Sequence, residues 1–289
     1  MRIGIVGAEN SHTIAIAKTL NIEKAVPGFE VTHVWGETAE YADKAAKEGQ
    51  IPNIVQDPTQ MIGHVEGVAV DHRHGKYHLP AARPFIEAGV PVYVDKPFCT
   101  DLKEGIEFVK LAQAKGTPLT SYSVLPLQQS AREFGEAMRA LGTLRSFVTA
   151  GPVEIESQYG GVFFYGIHQV DFMLSLVDAK LASVSTTRQG KDGIATIAFD
   201  SGAFGIVHCL DGWGGGFTGT VFGEKGSHHS TLGWDSNVYL AGIQTFCRMF
   251  ETKQEPLPPS SYLRPVAVLA AMQKSFDSGK PVDVESVDL

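Results

Sequence analysis

Short apolar runs alternate with helical patterns over the first 122 residues. The runs of strand character are RIGIVGA, FEVTHVWG, GVAVDHR, VPVYVDKP and TPLTSYS. Between them lie HTIAIAKTL, TAEYADKAAKEG, HLPAARPFIEAG and DLKEGIEFVKLAQAKG, most of which end in glycine as helices often do. Strand, helix, strand, repeated, predicts an α/β layer: a doubly wound parallel sheet covered by helices on both faces. Pro84 should kink the third helix or loosen its first turns.

The pattern changes near residue 123. After the helical stretch LQQSAREFGEAMRALG come TLRSFVTAG, LASVSTTRQG, GIATIAFD, GAFGIVHCL and FTGTVFGEKGS, joined by Gly- and Asp-rich turns. That texture predicts a second, α+β domain over residues 123–289 with a largely antiparallel open sheet. QEPLPPSSY, residues 254–262, reads as a loop before a last helix.

Composition narrows the partners. A net charge of -8 without a Lys/Arg block lacks the electrostatic footprint of a nucleic-acid or anionic-membrane binder. There is no run of 18 apolar residues, and the N-terminus enters a strand pattern directly, so a cytoplasmic protein with a small-molecule partner is expected. Cys99, Cys209 and Cys247 are scattered without metal-type spacing and read as packing thiols.

The stretch IGIVGAENSH, residues 3–12, stands where a dinucleotide-binding α/β protein carries its glycine-rich phosphate loop. Gly7 is present to turn the chain out of the first strand, and Asn10 or Ser11 can cap the helix that begins near His12. Glu9 and His12 replace the second and third glycines, so side chains stand where the backbone should approach phosphate and where helix and strand should pack closely. Weakened dinucleotide binding is expected.

The strongest motif is VYVDKPF, residues 92–98, preceded by a helix that opens on His78 and closes on Ala88-Gly89, with His78 and Asp95 17 positions apart. GGVFFYGIHQVDFMLSLVD (160–178), VFGEKGS (221–227) and SFDSGKPVDV (275–284) follow in order. Together they resemble the Gfo/Idh/MocA oxidoreductases, the glucose-fructose oxidoreductase and inositol dehydrogenase type, in which Glu stands at the place of Asp95. The resemblance implies a Rossmann-like first domain and hydride transfer between a nicotinamide and a hydroxyl-bearing carbon of a sugar, inositol or related molecule. It also implies a homodimer or homotetramer packed through the open face of the second sheet.

By that resemblance Lys96 hydrogen-bonds the substrate oxygen and His168 is the acid/base, a role that suits an ordinary pKa near 6.5. Gly7, Glu9, Asn10, Ser11, His12, Glu37, His72, His78, Asp95 and Lys96 would line the cofactor. Two departures stand out. The family's Asp four residues before the histidine is Phe164 here, and the acidic residue that ends the second strand is displaced by Gly36 to Glu37. With no cation before Lys44 to receive a 2'-phosphate, NAD is favoured over NADP. Asp171 is expected to complement a helix N-terminus.

Two other readings remain open. One is a ligand-binding or regulatory protein that kept the fold and lost hydride transfer. The other is a metal-assisted hydrolase or lyase built on Asp71, His72, His74 and His78, with His72 and His74 on one face of a strand. The resemblance places the nicotinamide-facing loop there, and no metal is expected. The histidines of HCLDGWGGG and GSHHS read as turns and surface.

Overall fold

The computed structural model describes all 289 residues. Its first sheet has six strands, β1 (Arg2–Val6), β2 (Glu30–Trp35), β3 (Asn53–Ile54), β4 (Gly67–Val70), β5 (Val92–Val94) and β6 (Leu119–Ser121), in the order β3-β2-β1-β4-β5-β6 and all parallel. The connecting helices are α1 (Ser11–Ala17), α2 (Ala39–Gly49), α3 (His78–Glu87) and α4 (Leu102–Lys115). Two of them begin on caps legible in the chain: Thr38 accepts from the Tyr41 amide at 3.2 Å and Asp101 from the Glu104 amide at 2.9 Å. Strands β4, β5 and β6 are buried on both sides, and β4 and β5 accordingly read as continuous apolar runs. The order reverses between β1 and β4, and the crevice outside their carboxyl ends is where ligands bind in such sheets.

Helix α3 runs through Pro84 without a break. Proline forfeits one hydrogen bond to the carbonyl four residues back, here on the exposed Pro80, where water can satisfy it.

The second half begins with α5 (Gln129–Arg139) and builds a seven-stranded sheet in the order β12-β11-β7-β10-β9-β8-β13. Its strands are β7 (Leu144–Pro152), β8 (Leu181–Gln189), β9 (Asp192–Phe199), β10 (Phe204–Leu210), β11 (Phe217–Gly223), β12 (Gly226–Leu232) and β13 (Val282–Asp283). All pairs are antiparallel except β7 with β10. The histidines expected in turns are in strands: His208 in β10, His228 and His229 in β12. One face of this sheet is covered by α6 (Phe163–Leu176) and α8 (Ser260–Ser278). The other leaves Ile194, Phe204 and Phe222 exposed.

An apolar pattern at residues 236–253 lies outside the predicted strands and helices. It forms α7 (Leu240–Thr252), which returns to the first layer, where Phe246 and Phe250 pack with Ile3, Ile5 and Tyr93. A second core spans both halves, from Val68 and Phe85 to Phe147 and Leu269. All three cysteines lie in these cores, and burial pushes the thiols of Cys209 and Cys247 up to about 12, in keeping with packing residues. No helix is long and apolar enough to cross a membrane.

Candidate functional site

Gly7 ends β1 at φ +109°, and a Cβ on it would lie 2.7 Å from the backbone of Asp71 and His72. Only glycine lets the chain pass that close to the end of β4. Asn10 caps α1, its side chain accepting from the His12 amide at 3.4 Å.

The side chains at the second and third glycine positions of the loop have partners of their own. The His12 Nδ1 lies 3.1 Å from Asp95 Oδ2 and 3.9 Å from Asp71 Oδ1. Asn10 donates to Asp71 at 2.8 Å and Asp95 at 3.2 Å, Thr13 to Asp71 at 2.5 Å, and Tyr93 to Asp95 at 3.2 Å. Burial, with Asp95 adding to it, pushes the Asp71 carboxyl well above the usual carboxylate range. His12 and Lys96 hold Asp95 below that range against its own burial. Asp95 thus ties the loop to β5 through its contacts with His12, Asn10 and Tyr93. His12, Asp71 and Asp95 come within 4.8 Å of one another, the spacing of a metal triad, but the same oxygens serve this hydrogen-bond network.

Glu9 is engaged by the second half of the chain. Its carboxylate accepts a hydrogen bond from the Tyr159 hydroxyl at 3.1 Å, joining the loop to the second half of the chain. Gly36 explains the displaced acid: a Cβ there would meet the Ala42 amide nitrogen at 2.7 Å and Ala8 Cβ at 3.0 Å, so the carboxylate sits at residue 37 instead. Glu37 Oε2 accepts from the Ala8 and Glu9 amides at 2.8 and 2.9 Å, while its Oε1 is buried without a partner.

The histidine cluster separates. Strand β4 ends at Val70, so His72 and His74 lie beyond it and share no strand face. His78 is fully buried, with Nδ1 2.7 Å from the Pro97 carbonyl oxygen and Nε2 2.8 Å from that of His72. It bridges the two loops. His74 caps the short turn that follows it, accepting from the Lys76 amide at 3.2 Å. His72 packs at a tilt against Trp35, ring centroids 5.8 Å apart; its Nδ1 is buried without a partner, and burial lowers its pKa to about 4, so the ring is neutral.

Lys96 leaves the end of β5 only 8% exposed, and its amine donates no hydrogen bond within the chain. The nearest carboxylate oxygen is Asp95 Oδ2 at 3.8 Å. The amine lies 5.7 Å from the centre of the Phe164 ring, and the Arg73 guanidinium sits over the same ring at 5.4 Å and over Tyr159 at 4.3 Å. Phe164 stacks edge-on to Tyr165, and Tyr165 to His168.

His168 is oriented by Ser123 instead of a carboxylate: Ser123 Oγ is 2.7 Å from its Nδ1. A hydroxyl can donate to that nitrogen or accept from it, so either neutral tautomer is supported, and imidazolium is not specially stabilised. Burial, then the charges of Lys96 and His12, hold the His168 pKa well below 6.5. Asp171 lies deep in α6, away from the N-terminus where it was expected, and accepts from the Ser123 amide at 2.7 Å. The chain thereby fixes the serine that fixes the histidine. Ser123, Arg73 and Tyr159 were invisible to motif reading because each comes from a loop whose partner is more than 40 residues away.

Residues 1–123 match the family model for the Gfo/Idh/MocA oxidoreductases, described as an oxidoreductase family with an NAD-binding Rossmann fold. No curated protein matches the chain in sequence. The fold as a whole is similar to the scyllo-inositol dehydrogenase of Lactobacillus casei with bound NAD(H) and scyllo-inositol, at TM-score 0.85 and 15% identity over 99% of each chain. It is equally similar to the myo-inositol dehydrogenase of the same organism in complex with NAD(H) and myo-inositol, at TM-score 0.84 and 17% identity over 99% of this chain and 97% of that one. The myo-inositol 2-dehydrogenase of Lactobacillus plantarum gives TM-score 0.86 and 14% identity over 99% of each.

Proposed function

We propose that the protein, whose residues 1–123 match the Gfo/Idh/MocA oxidoreductase family model, is an NAD-dependent dehydrogenase of a hydroxyl-bearing small molecule of the sugar or cyclitol class. The observation that carries this is the Glu37 carboxylate. One oxygen is held by two loop amides and the other is buried with its lone pairs free, an acceptor suited to a ribose hydroxyl at the carboxyl end of β2. A negative charge at that point favours the unphosphorylated ribose of NAD over that of NADP.

The Asn10 and Ser11 amides at the start of α1 would hold the diphosphate, since those of Ala8 and Glu9 are taken by Glu37. NAD, when bound, takes the hydride. Lys96, an almost buried cation without a hydrogen-bond partner, holds the substrate oxygen and stabilises the charge that builds on it as the proton leaves. Neutral His168 receives that proton, and Ser123 keeps the ring in position for it.

A non-catalytic ligand-binding role is favoured by one observation, the Glu9–Tyr159 bond that joins the cofactor loop to the second half. The purified protein supplied with NAD and a panel of polyols, inositols and sugars decides between them. Substrate-dependent NADH formation is expected; ligand binding with no NADH from any member would reject the dehydrogenase. Assembly into dimers or tetramers through the open sheet face and residence in the cytoplasm complete the proposal.

A further inference from the structure

Resting on the dehydrogenase reading for its reacting hydroxyl, we propose that Arg73, beside Lys96, forms a carboxylate-binding subsite and that the substrates are sugar-type hydroxy acids such as aldonates.

The site holds two cations and lacks its expected anion. Arg73 and Lys96 both lie over the Phe164 ring, at 5.4 and 5.7 Å, in the position where the family carries an aspartate. The carboxylates nearby are occupied: Asp95 by His12, Asn10 and Tyr93, and Glu9 by Tyr159. Arg73 makes no ion pair and donates no hydrogen bond within the chain; its guanidinium carbon lies over the Tyr159 ring, 4.3 Å from the centroid. Its N–H donors are unspent within the chain, and a guanidinium presents them as a planar fork that grips a carboxylate in two parallel bonds. Lys96 is 8% exposed and equally without a hydrogen-bond acceptor, a state costly to leave unanswered. An anionic substrate answers all of this at once. Its carboxylate pairs with Arg73, and the hydroxyl to be oxidised lies at Lys96 and His168. Phe164 offers a neutral polyol no acceptor for its hydroxyl protons.

The test uses the NAD-loaded protein and matched pairs of probes: gluconate with glucitol, galactonate with galactitol, mannonate with mannitol. At least one acid should bind 10-fold or more tighter than its alditol by calorimetry. Arg73→Gln should erase that preference while leaving the Kd for NAD unchanged. Phe164→Asp, which places a carboxylate beside both cations, should weaken the acid by a similar factor and spare the alditol. Equal or tighter binding of every alditol, no binding of any acid, or an acid preference that survives Arg73→Gln would overturn the subsite. So would Arg73→Gln weakening NAD alone, which would assign the guanidinium to the cofactor diphosphate. NADH formation in the same samples separates the two claims. Acid binding that depends on Arg73 without NADH keeps the subsite and rejects the dehydrogenase; NADH from alditols without preference for acids does the reverse.

Discussion

Replacing Asp171 by Asn should flatten the dependence of stability on pH. The carboxyl is buried inside α6, and burial raises its pKa to about 7 from an ordinary 3.8. A proton is therefore bound more tightly by the folded chain than by the unfolded one. The stabilisation this gives is complete below about pH 4 and is lost as pH rises through about 7. At about 1.4 kcal/mol per pKa unit the whole effect is about 4 kcal/mol, of which roughly 2 kcal/mol falls between about pH 5.5 and pH 8. Asparagine keeps the shape, and its Oδ1 can still accept from the Ser123 amide, but it has no proton to lose. Other titrating groups, such as Asp71, are common to both proteins and cancel in the difference. Thermal unfolding of the two proteins at both pH values is the assay. At roughly 2–4 °C per kcal/mol, Tm of the variant relative to the parent should rise by about 4–8 °C from the lower to the higher pH. Melting curves that stay parallel across that range would show that Asp171 ionises in the folded state without cost.

Four further outcomes are expected. His168→Ala should lower turnover by about 10²-fold or more with little change in Tm; an unchanged rate would make the residue structural. Because burial and the nearby cations lower the His168 pKa, the acid limb of kcat/KM for alcohol oxidation should lie below pH 6.5, and a limb at or above that value would contradict the neutral-base role. NAD at about one hundred times its Kd should stabilise the fold by about 2.7 kcal/mol, several degrees of Tm, with Glu9→Gly enlarging the shift at fixed NAD; no shift with NAD, NADH, NADP or NADPH would make the loop a remnant. Gly7→Ala should cost about 3 kcal/mol in urea unfolding, from its positive φ and its contact with the backbone of Asp71, and a loss under about 1 kcal/mol would mean that the β1–β4 crossing can relax.

The fold was legible because it rests on periodicity and local chemistry. Alternating strand and helix patterns, the glycines that end α2, α3 and α4 or follow them, and the apolar runs of β4 and β5 each report a property of a few neighbouring residues. The helix α7 escaped because its pattern gives no hint that it crosses back to pack with Ile3 and Tyr93. The motif residues Lys96 and His168 were legible as types at a spacing. Their state was not. Ser123 in place of a carboxylate at His168, Asp95 beside His12, His78 between two carbonyls, and Arg73 over Tyr159 and Phe164 all join positions from different strands and loops. A hydrogen bond or a charge is satisfied by whatever the fold brings near it, at distances of about 3 Å that chain separation does not encode. The sequence determined which groups were available and which family geometry they would enter. The tertiary structure decided which were consumed in holding that geometry, and which were left free to meet a substrate.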